Sequence, residues 1–263
     1  MLLRLALAAF MTAAAVHPAV AQSLRAGGTD WSGPYATIFA GGLWSDGRAR
    51  RDAFQGPLIT LDVENGLFPL EQRGTEVGPF GGIGLGYNLQ RDAFVFGVEA
   101  DLGIADTSVR HRFSRIDPNP DPLFNGVETN TSYLTEFDRL STLRLRTGYA
   151  FGPTLLYATG GLAAGRVTNR FTLDLPNLVI PGVVDGYSLP DHSTRGTRTG
   201  YIVGAGIERR IGAALGLRAE VMHFNLRDVT IRGRDETIFA GEGLDYRFRN
   251  SGQIGRIGLS VRF

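Results

Sequence analysis

The side chains of this sequence best able to do chemistry are ionisable groups set into strand-like stretches. Glu99 and Asp101 stand two apart between Phe94 and Ile104, and Arg144 and Arg146 two apart between Leu140 and Phe151. Glu208 lies near the end of Thr197–Arg210, Arg218 and Glu220 in Leu215–Arg227, and Arg256 in the final stretch. Residues i and i+2 of a strand share a face, so each pair falls on one side of a ribbon whose other side is apolar. Glu99 is seven residues past the break at 90–92, and Arg146 and Arg144 are six and eight before the break at 152–153. Adjacent antiparallel strands therefore place them at similar depth. On a second wall, Glu220, Arg218 and Glu208 flank Arg256. The expectation is an interior network of Arg–carboxylate pairs, because an unpaired charge is costly to bury and the guanidinium fork matches a carboxylate. Lining a conducting pore is the alternative use of the same groups.

Other constellations resolve to simpler readings. Asp117, Asn119, Asp121, Asn125 and Glu128 occupy positions 1, 3, 5, 9 and 12 of a calcium-loop pattern, but Pro122 stands where the EF-hand turn needs glycine. Gly82-x-Gly84-x-Gly86 repeats every second residue without a following helix. It therefore reads as slim inward positions on a curved strand rather than a phosphate loop. His111, His192 and His223 have no serine and carboxylate at triad spacing. No enzyme activity, cofactor or metal is expected.

These groups need strands to hold them. Period-2 alternation marks eight, beginning near Tyr35, Glu76, Ala93, Leu140, Leu155, Thr197, Leu215 and Arg247. On the second, Val77, Ile83, Leu85, Tyr87 and Leu89 oppose Phe80, the glycines and Asn88. The fifth is ambiguous, being small or apolar on both sides, with Leu155, Tyr157, Thr159 and Ala163 taken as outward. Aperiodic stretches of long loop separate the strands at about 46–75, 106–138, 169–196 and 228–246, and alternate with short breaks. Long connections at one end and short turns at the other, with an even strand count, are the mark of an up-and-down transmembrane β-barrel. The fold expected is all-β and eight-stranded, with long extracellular loops and short periplasmic turns. Tyr35, Tyr87, Phe94, Tyr149, Phe151, Tyr157 and Phe263 are read as its outward periplasmic aromatic girdle.

Residues 1–21 read as a signal peptide, with a basic start, an apolar run of about a dozen residues and Ala19-Val20-Ala21 before the cut. Residues 22–32 form a short lead-in, and 33–263 a single barrel domain. Cysteine is absent, and all 27 cationic residues are arginines. Cleavage would leave 26 charges of each sign, which argues against nucleic acid as a partner. The last strand, Gly255–Phe263, turns Ile257, Leu259, Val261 and Phe263 to one side and Arg256 to the other. An uncovered edge there would invite aggregation, so the strand is expected to close against the first.

Trp31-Ser-Gly-Pro-Tyr35, Gly82-Ile-Gly-Leu-Gly-Tyr87, Phe96-Gly-Val-Glu-Ala-Asp101, Tyr157-Ala-Thr-Gly-Gly-Leu-Ala163, Val203-Gly-Ala-Gly-Ile-Glu208, Leu217-Arg-Ala-Glu220 and the closing Phe263 carry a family resemblance. Together they resemble the Omp25/Omp31-type outer-membrane β-barrel proteins of alphaproteobacteria, a group often called a porin family. The match spans nearly the whole mature chain. His223 departs from it, standing where an aromatic is more usual. The resemblance implies a structural surface protein of the outer membrane, in contact with membrane lipid and lipopolysaccharide. A narrow diffusion channel is the alternative, and an envelope enzyme or loop-based ligand binder comes third. The resemblance also implies that Ile257, Leu259, Val261 and Phe263 form the signal read by the barrel-assembly machinery. Nothing in the sequence sets an oligomeric state.

Overall fold

The computed structural model describes residues 29–234 and 240–263. The signal-peptide reading of residues 1–21 falls outside them. Eight strands follow in chain order: β1 (Gly33–Gln55), β2 (Glu71–Arg91), β3 (Phe94–Ile116), β4 (Glu128–Phe151), β5 (Thr154–Ile180), β6 (Val184–Arg210), β7 (Leu215–Arg234) and β8 (Gly243–Arg262). Each pairs antiparallel with its neighbours, and β8 returns to β1, so the sheet closes as a barrel. The closing seam sets Ala36 opposite Val261, Ile38 opposite Leu259 and Ala40 opposite Ile257. Pairing with β1 covers the edge of β8. Beyond the Phe80/Ala105 and Gly200/Leu226 pairs, the β2–β3 and β6–β7 ladders stop and those strands continue paired on one side.

Local chemistry explains the short turns. Asp92 adopts φ 55° between β2 and β3, and Gly152 adopts φ 57° between β4 and β5. This left-handed conformation is one that glycine and aspartate tolerate better than branched residues. At the other end, β1 and β2 are joined through helix α1 (Pro57–Glu64), which has proline in its first turn. Proline suits that position because its missing N–H would be unsatisfied there anyway.

The strands run far past their expected ends. Much of each stretch read as loop is ladder: β1 continues to Gln55, β3 to Ile116, β5 to Ile180 and β7 to Arg234. Where water wets the outer wall, alternation against lipid no longer shapes the sequence, so the pattern fades while backbone pairing persists. His111 and His192, expected in loops, accordingly lie in β3 and β6.

The fifth strand faces opposite to expectation. Leu155, Tyr157, Thr159 and Ala163 are buried inside, while Leu156 and Leu162 are exposed on the outer wall. Tyr35 is also interior, so neither Tyr35 nor Tyr157 belongs to the girdle. Tyr87, Phe94, Tyr149, Phe151 and Phe263 do point outward at the short-turn end. The error has a physical source: a filled barrel interior accepts aromatic residues as readily as lipid does, so apolarity alone cannot choose the face of β5.

The lumen is packed in layers. Trp31, Val95 and Leu155 close the short-turn end. A charged layer follows, then Phe39, Leu43, Phe80, Phe137, Leu140 and Phe224. Tyr133, Phe171, Tyr246 and Phe248 fill the upper barrel, with Tyr133 and Tyr246 rings 4.7 Å apart. Outside, Ile38, Leu85, Leu102, Leu145, Leu162, Val221 and Ile257 are exposed around the wall. An apolar band this continuous needs lipid to cover it.

Candidate functional site

The charged layer gathers all eight ionisable residues singled out from the sequence into one cluster. β3 supplies Glu99 and Asp101, β4 Arg144 and Arg146, β6 Glu208, β7 Arg218 and Glu220, and β8 Arg256. Strand alternation turns all of them inward, and Glu99 and Arg144 are each only 1% exposed, so their charges are met by one another rather than by water. Glu99 sits opposite Arg144 in the β3–β4 ladder, as equal depth requires.

The pairs cross the lumen as well as the ladders. Arg218 grips Glu99 through two nitrogens at 2.8 and 3.2 Å, and its Nη2 also lies 2.9 Å from Glu220 Oε1. Arg144 contacts Glu99 and places Nη2 2.7 Å from Asp101 Oδ2. Arg256 joins Glu220, at 2.6 Å through Nε, to Asp101, at 2.9 Å through Nη2. Arg146 does not pair with Glu99. It reaches across to Glu208 at 2.5 Å, so Glu208 belongs to Arg146 and not to the neighbourhood of Arg256. Four carboxylates therefore meet four guanidiniums, and the layer is neutral as a whole.

Sequence reasoning missed the residues that complete the cluster. Tyr35 donates its hydroxyl to Glu99 Oε2 at 2.7 Å, and Ser260 donates to Glu208 Oε1 at 2.6 Å. The Tyr157 hydroxyl lies 3.1 Å from Arg218 Nη2, and its ring stacks beneath Arg146 with the guanidinium carbon 3.7 Å from the centroid. Phe39 does the same for Arg256 at 3.9 Å. Such stacking suits the weakly hydrated guanidinium, and a lysine would use it less well. The usable signal was parity: Tyr35 shares its face with Thr37 and Phe39. The β2 glycine stripe also finds its purpose here. A methyl on Gly84 would meet Asp101 Oδ1 and Thr37 Oγ1, and one on Gly86 would meet the Tyr35 ring.

The sequence matches the family model of the outer membrane protein β-barrel domain over residues 5–255. The chain belongs to this family. A relative, the 31 kDa outer-membrane immunogenic protein of Brucella melitensis, is 27% identical over 229 residues, covering 83% of this chain and 84% of that protein. The 22 kDa outer membrane protein of Rhizobium leguminosarum is 35% identical over 130 residues, 49% of this chain and 44% of the relative. Among solved structures, OprG of Pseudomonas aeruginosa aligns with TM-score 0.43 and 13% identity, covering 88% of this chain and 97% of that one. The Escherichia coli outer membrane protease OmpT aligns with TM-score 0.45 and 11% identity, over 91% and 99%. The outer membrane is thus the home of this barrel, with short turns on the periplasmic side and the long end outside.

The extracellular end of this outer-membrane barrel carries a second candidate. The loop that resembled a calcium site spends its oxygens on its own backbone: Asp117 Oδ1, Asn119 Oδ1 and Asp121 Oδ1 accept from the N–H groups of Asn119, Asp121 and Leu123, each at 2.9 Å. These are successive Asx turns. No three His, Cys, Asp or Glu residues among the described ones are grouped to hold a metal ion. Beside this loop lies a cavity of about 70 Å³, lined by apolar side chains such as Phe68, Phe171 and Leu244 together with Asp62, Asp117 and Glu242. Glu242 caps α1, accepting from Ile59 N at 2.9 Å.

Burial, then the nearby Asp117 and Glu242 carboxylates, push the Asp62 pKa up to about 7. An acid with a raised folded-state pKa keeps a proton that the unfolded chain releases near pH 4. Stability of this cap therefore falls as pH rises from about 4 through 7 and levels off above. The Asp62→Asn chain is expected to resist cleavage in residues 57–70 better than the wild type at pH 8, and to match it at pH 5. The check is limited proteolysis, comparing the two chains at each pH. An equal ratio at both would contradict the assignment.

Proposed function

We propose that this chain is a non-enzymatic structural barrel of the outer membrane, plugged at its centre and making surface contacts through its extracellular end. The observation that carries the reading is the charged layer sealed between apolar layers. Each of its carboxylates is engaged by arginine, so the charges that could line a channel are spent on one another. A plug also agrees with the strand count, since eight-stranded barrels have interiors that side chains fill. Recordings across planar bilayers holding the refolded protein test the reading. Silent membranes are expected. Steady conductance steps would instead establish the narrow diffusion channel.

The partners proposed with this role are outer-membrane lipid, lipopolysaccharide and the barrel-assembly machinery. For the last of these, Ile257, Leu259, Val261 and Phe263 face outward along β8, where a receptor for the unfolded or emerging barrel could read them. Phe263→Ala is expected to lower the amount of chain inserted in cells while leaving the unfolding midpoint of the inserted fraction unchanged. Equal membrane levels of the two chains would remove this role.

A further inference from the structure

The outer wall carries a feature that packing does not explain. Counting up β1 on its lipid-facing side, Ile38, Ala40, Gly42 and Trp44 give way to Asp46, Arg48 and Arg50. In the ladders, Arg48 sits directly opposite Arg73 of β2 and directly opposite Arg249 of β8. One rung above, Arg50 sits opposite Arg247 of β8 and opposite Glu71 of β2. Like charges placed directly across a sheet repel. Compensation is thin. Glu71 Oε1 lies 2.5 Å from both Arg48 Nε and Arg73 Nε, so one carboxylate serves two cations. Asp52 takes Arg247, at 2.8 Å. The exposed Arg249 has no ion-pair partner among the described residues.

The arginine rung borders an open groove of about 400 Å³, which Asp46, Thr75 and Ser251 also line, with the Thr75 hydroxyl donating to Asp46 Oδ1 at 3.1 Å. Arg48 stands four residues beyond Trp44, the last large apolar side chain on this face of β1. At ~3.3 Å per residue and a strand tilt of ~40°, that is ~10 Å above the apolar edge, the level of lipid headgroups. Guanidinium forks at that height match the oxyanions of phosphate groups, which bind two parallel N–H donors.

We infer that the β8–β1–β2 wall is a binding site for a phosphate-bearing lipid of the outer leaflet, held by Arg48, Arg73 and Arg249, with the Ser251 hydroxyl beside them and three guanidiniums outweighing the one Asp46 carboxylate in the groove. The occupant is lipopolysaccharide, because the rung stands at the outer headgroup level of an outer-membrane barrel. The inference deepens the lipid partnership proposed above and rests on the outer-membrane placement. It is independent of whether the lumen conducts.

The test uses the refolded full-length mature chain in phosphatidylcholine nanodiscs, titrated with purified lipopolysaccharide and followed by thermal unfolding. The wild-type midpoint is expected to rise with added lipopolysaccharide. Arg249→Gln is expected to weaken the apparent affinity about tenfold, the usual consequence of losing one charge-assisted contact. The R48Q/R73Q/R249Q chain is expected to lose the response. Without lipopolysaccharide that triple variant is expected to be as stable as wild type or more so, because the repelling rung is gone. Arg209→Gln, at the periplasmic end, should leave the titration unchanged. An identical lipopolysaccharide response in wild type and Arg249→Gln would overturn the site. So would a triple variant destabilised equally with and without the lipid, which would make the arginines structural. Millimolar inorganic phosphate that abolishes the response would reassign the site to free phosphate. Bilayer conductance, read on the same preparations, keeps failure here separate from failure of the plugged-barrel reading.

Discussion

Glu99→Gln is expected to lower the unfolding free energy of the refolded barrel by about 3–5 kcal/mol, the usual cost of breaking a buried ion pair from one side. The amide keeps the volume of the carboxylate and removes only its charge. Arg218 then loses the partner it holds through two nitrogens and keeps Glu220, while Arg144 keeps Asp101. Tyr35 loses a charged acceptor at the same time. The penalty arises chiefly from the guanidinium left uncompensated and out of water, more than from the contact itself. Replacing both partners should therefore recover part of the loss: Glu99→Gln with Arg218→Met is expected to be more stable than Glu99→Gln alone. Urea or guanidinium titrations of the protein in vesicles, followed by tryptophan fluorescence, measure both. Wild-type stability in the single variant would show that the layer is not held together by these ion pairs.

The second large effect is expected at the seam. Gly41→Ala should destabilise the barrel by about 1–3 kcal/mol or more, the range for overpacking a site that cannot relax. Gly41 pairs with Arg256 across β1 and β8, and a methyl group there would run into the Gly255 carbonyl oxygen and lie 2.7 Å from the Arg256 Cα. Both obstacles are backbone, so no rotamer change clears them. The strands must separate where the sheet closes, and Arg256 must move from Glu220 and Asp101. Gly212→Ala is the control, since nothing lies within 4 Å of a methyl there. Heat-modified mobility on unboiled gels distinguishes closed from open barrels. Identical midpoints for Gly41→Ala and Gly212→Ala would show that the seam tolerates the added bulk.

The lipid-spanning half of each strand was legible because lipid imposes a strict rule on one face. Val77 to Leu89 on β2 and Phe94 to Ile104 on β3 alternate cleanly for that reason, and their facing in the structure is the one the pattern gives. Above the bilayer water wets the outer wall and the rule lapses, which hid the upper ladders of β3 and β5. Neighbour pairs such as Glu99 and Arg144 could be reached by counting from turns. Pairs across the lumen, such as Arg146 with Glu208, depend on barrel shear and on side-chain reach, neither of which alternation encodes. Tyr35 and Tyr157 were misplaced because they do two jobs: the Tyr157 ring packs with Trp31, Val95 and Leu155 and both rings lie near the Arg146 guanidinium, while their hydroxyls serve ions. A residue type that suits both lipid and lumen carries little information about which it meets.

The length of the outer ladders has a mechanical meaning. β5 and β6 have 27 residues each, which at ~3.3 Å per residue and a ~40° tilt gives a wall roughly 65–70 Å tall, against an apolar band of ~25 Å. Most of the surplus stands on the outer side as a stiff turret rather than as tethered coil. An unpaired segment of comparable length would spread its tip over ~30 Å, following the square root of chain length. Hydrogen-bonded rungs instead hold the β3–β4 and β5–β6 tips at a fixed stand-off and in fixed relative positions. Molecules approaching from outside therefore meet a shaped crown well before they meet the bilayer, and the surface it presents is composed from several strands rather than from a linear stretch of any one.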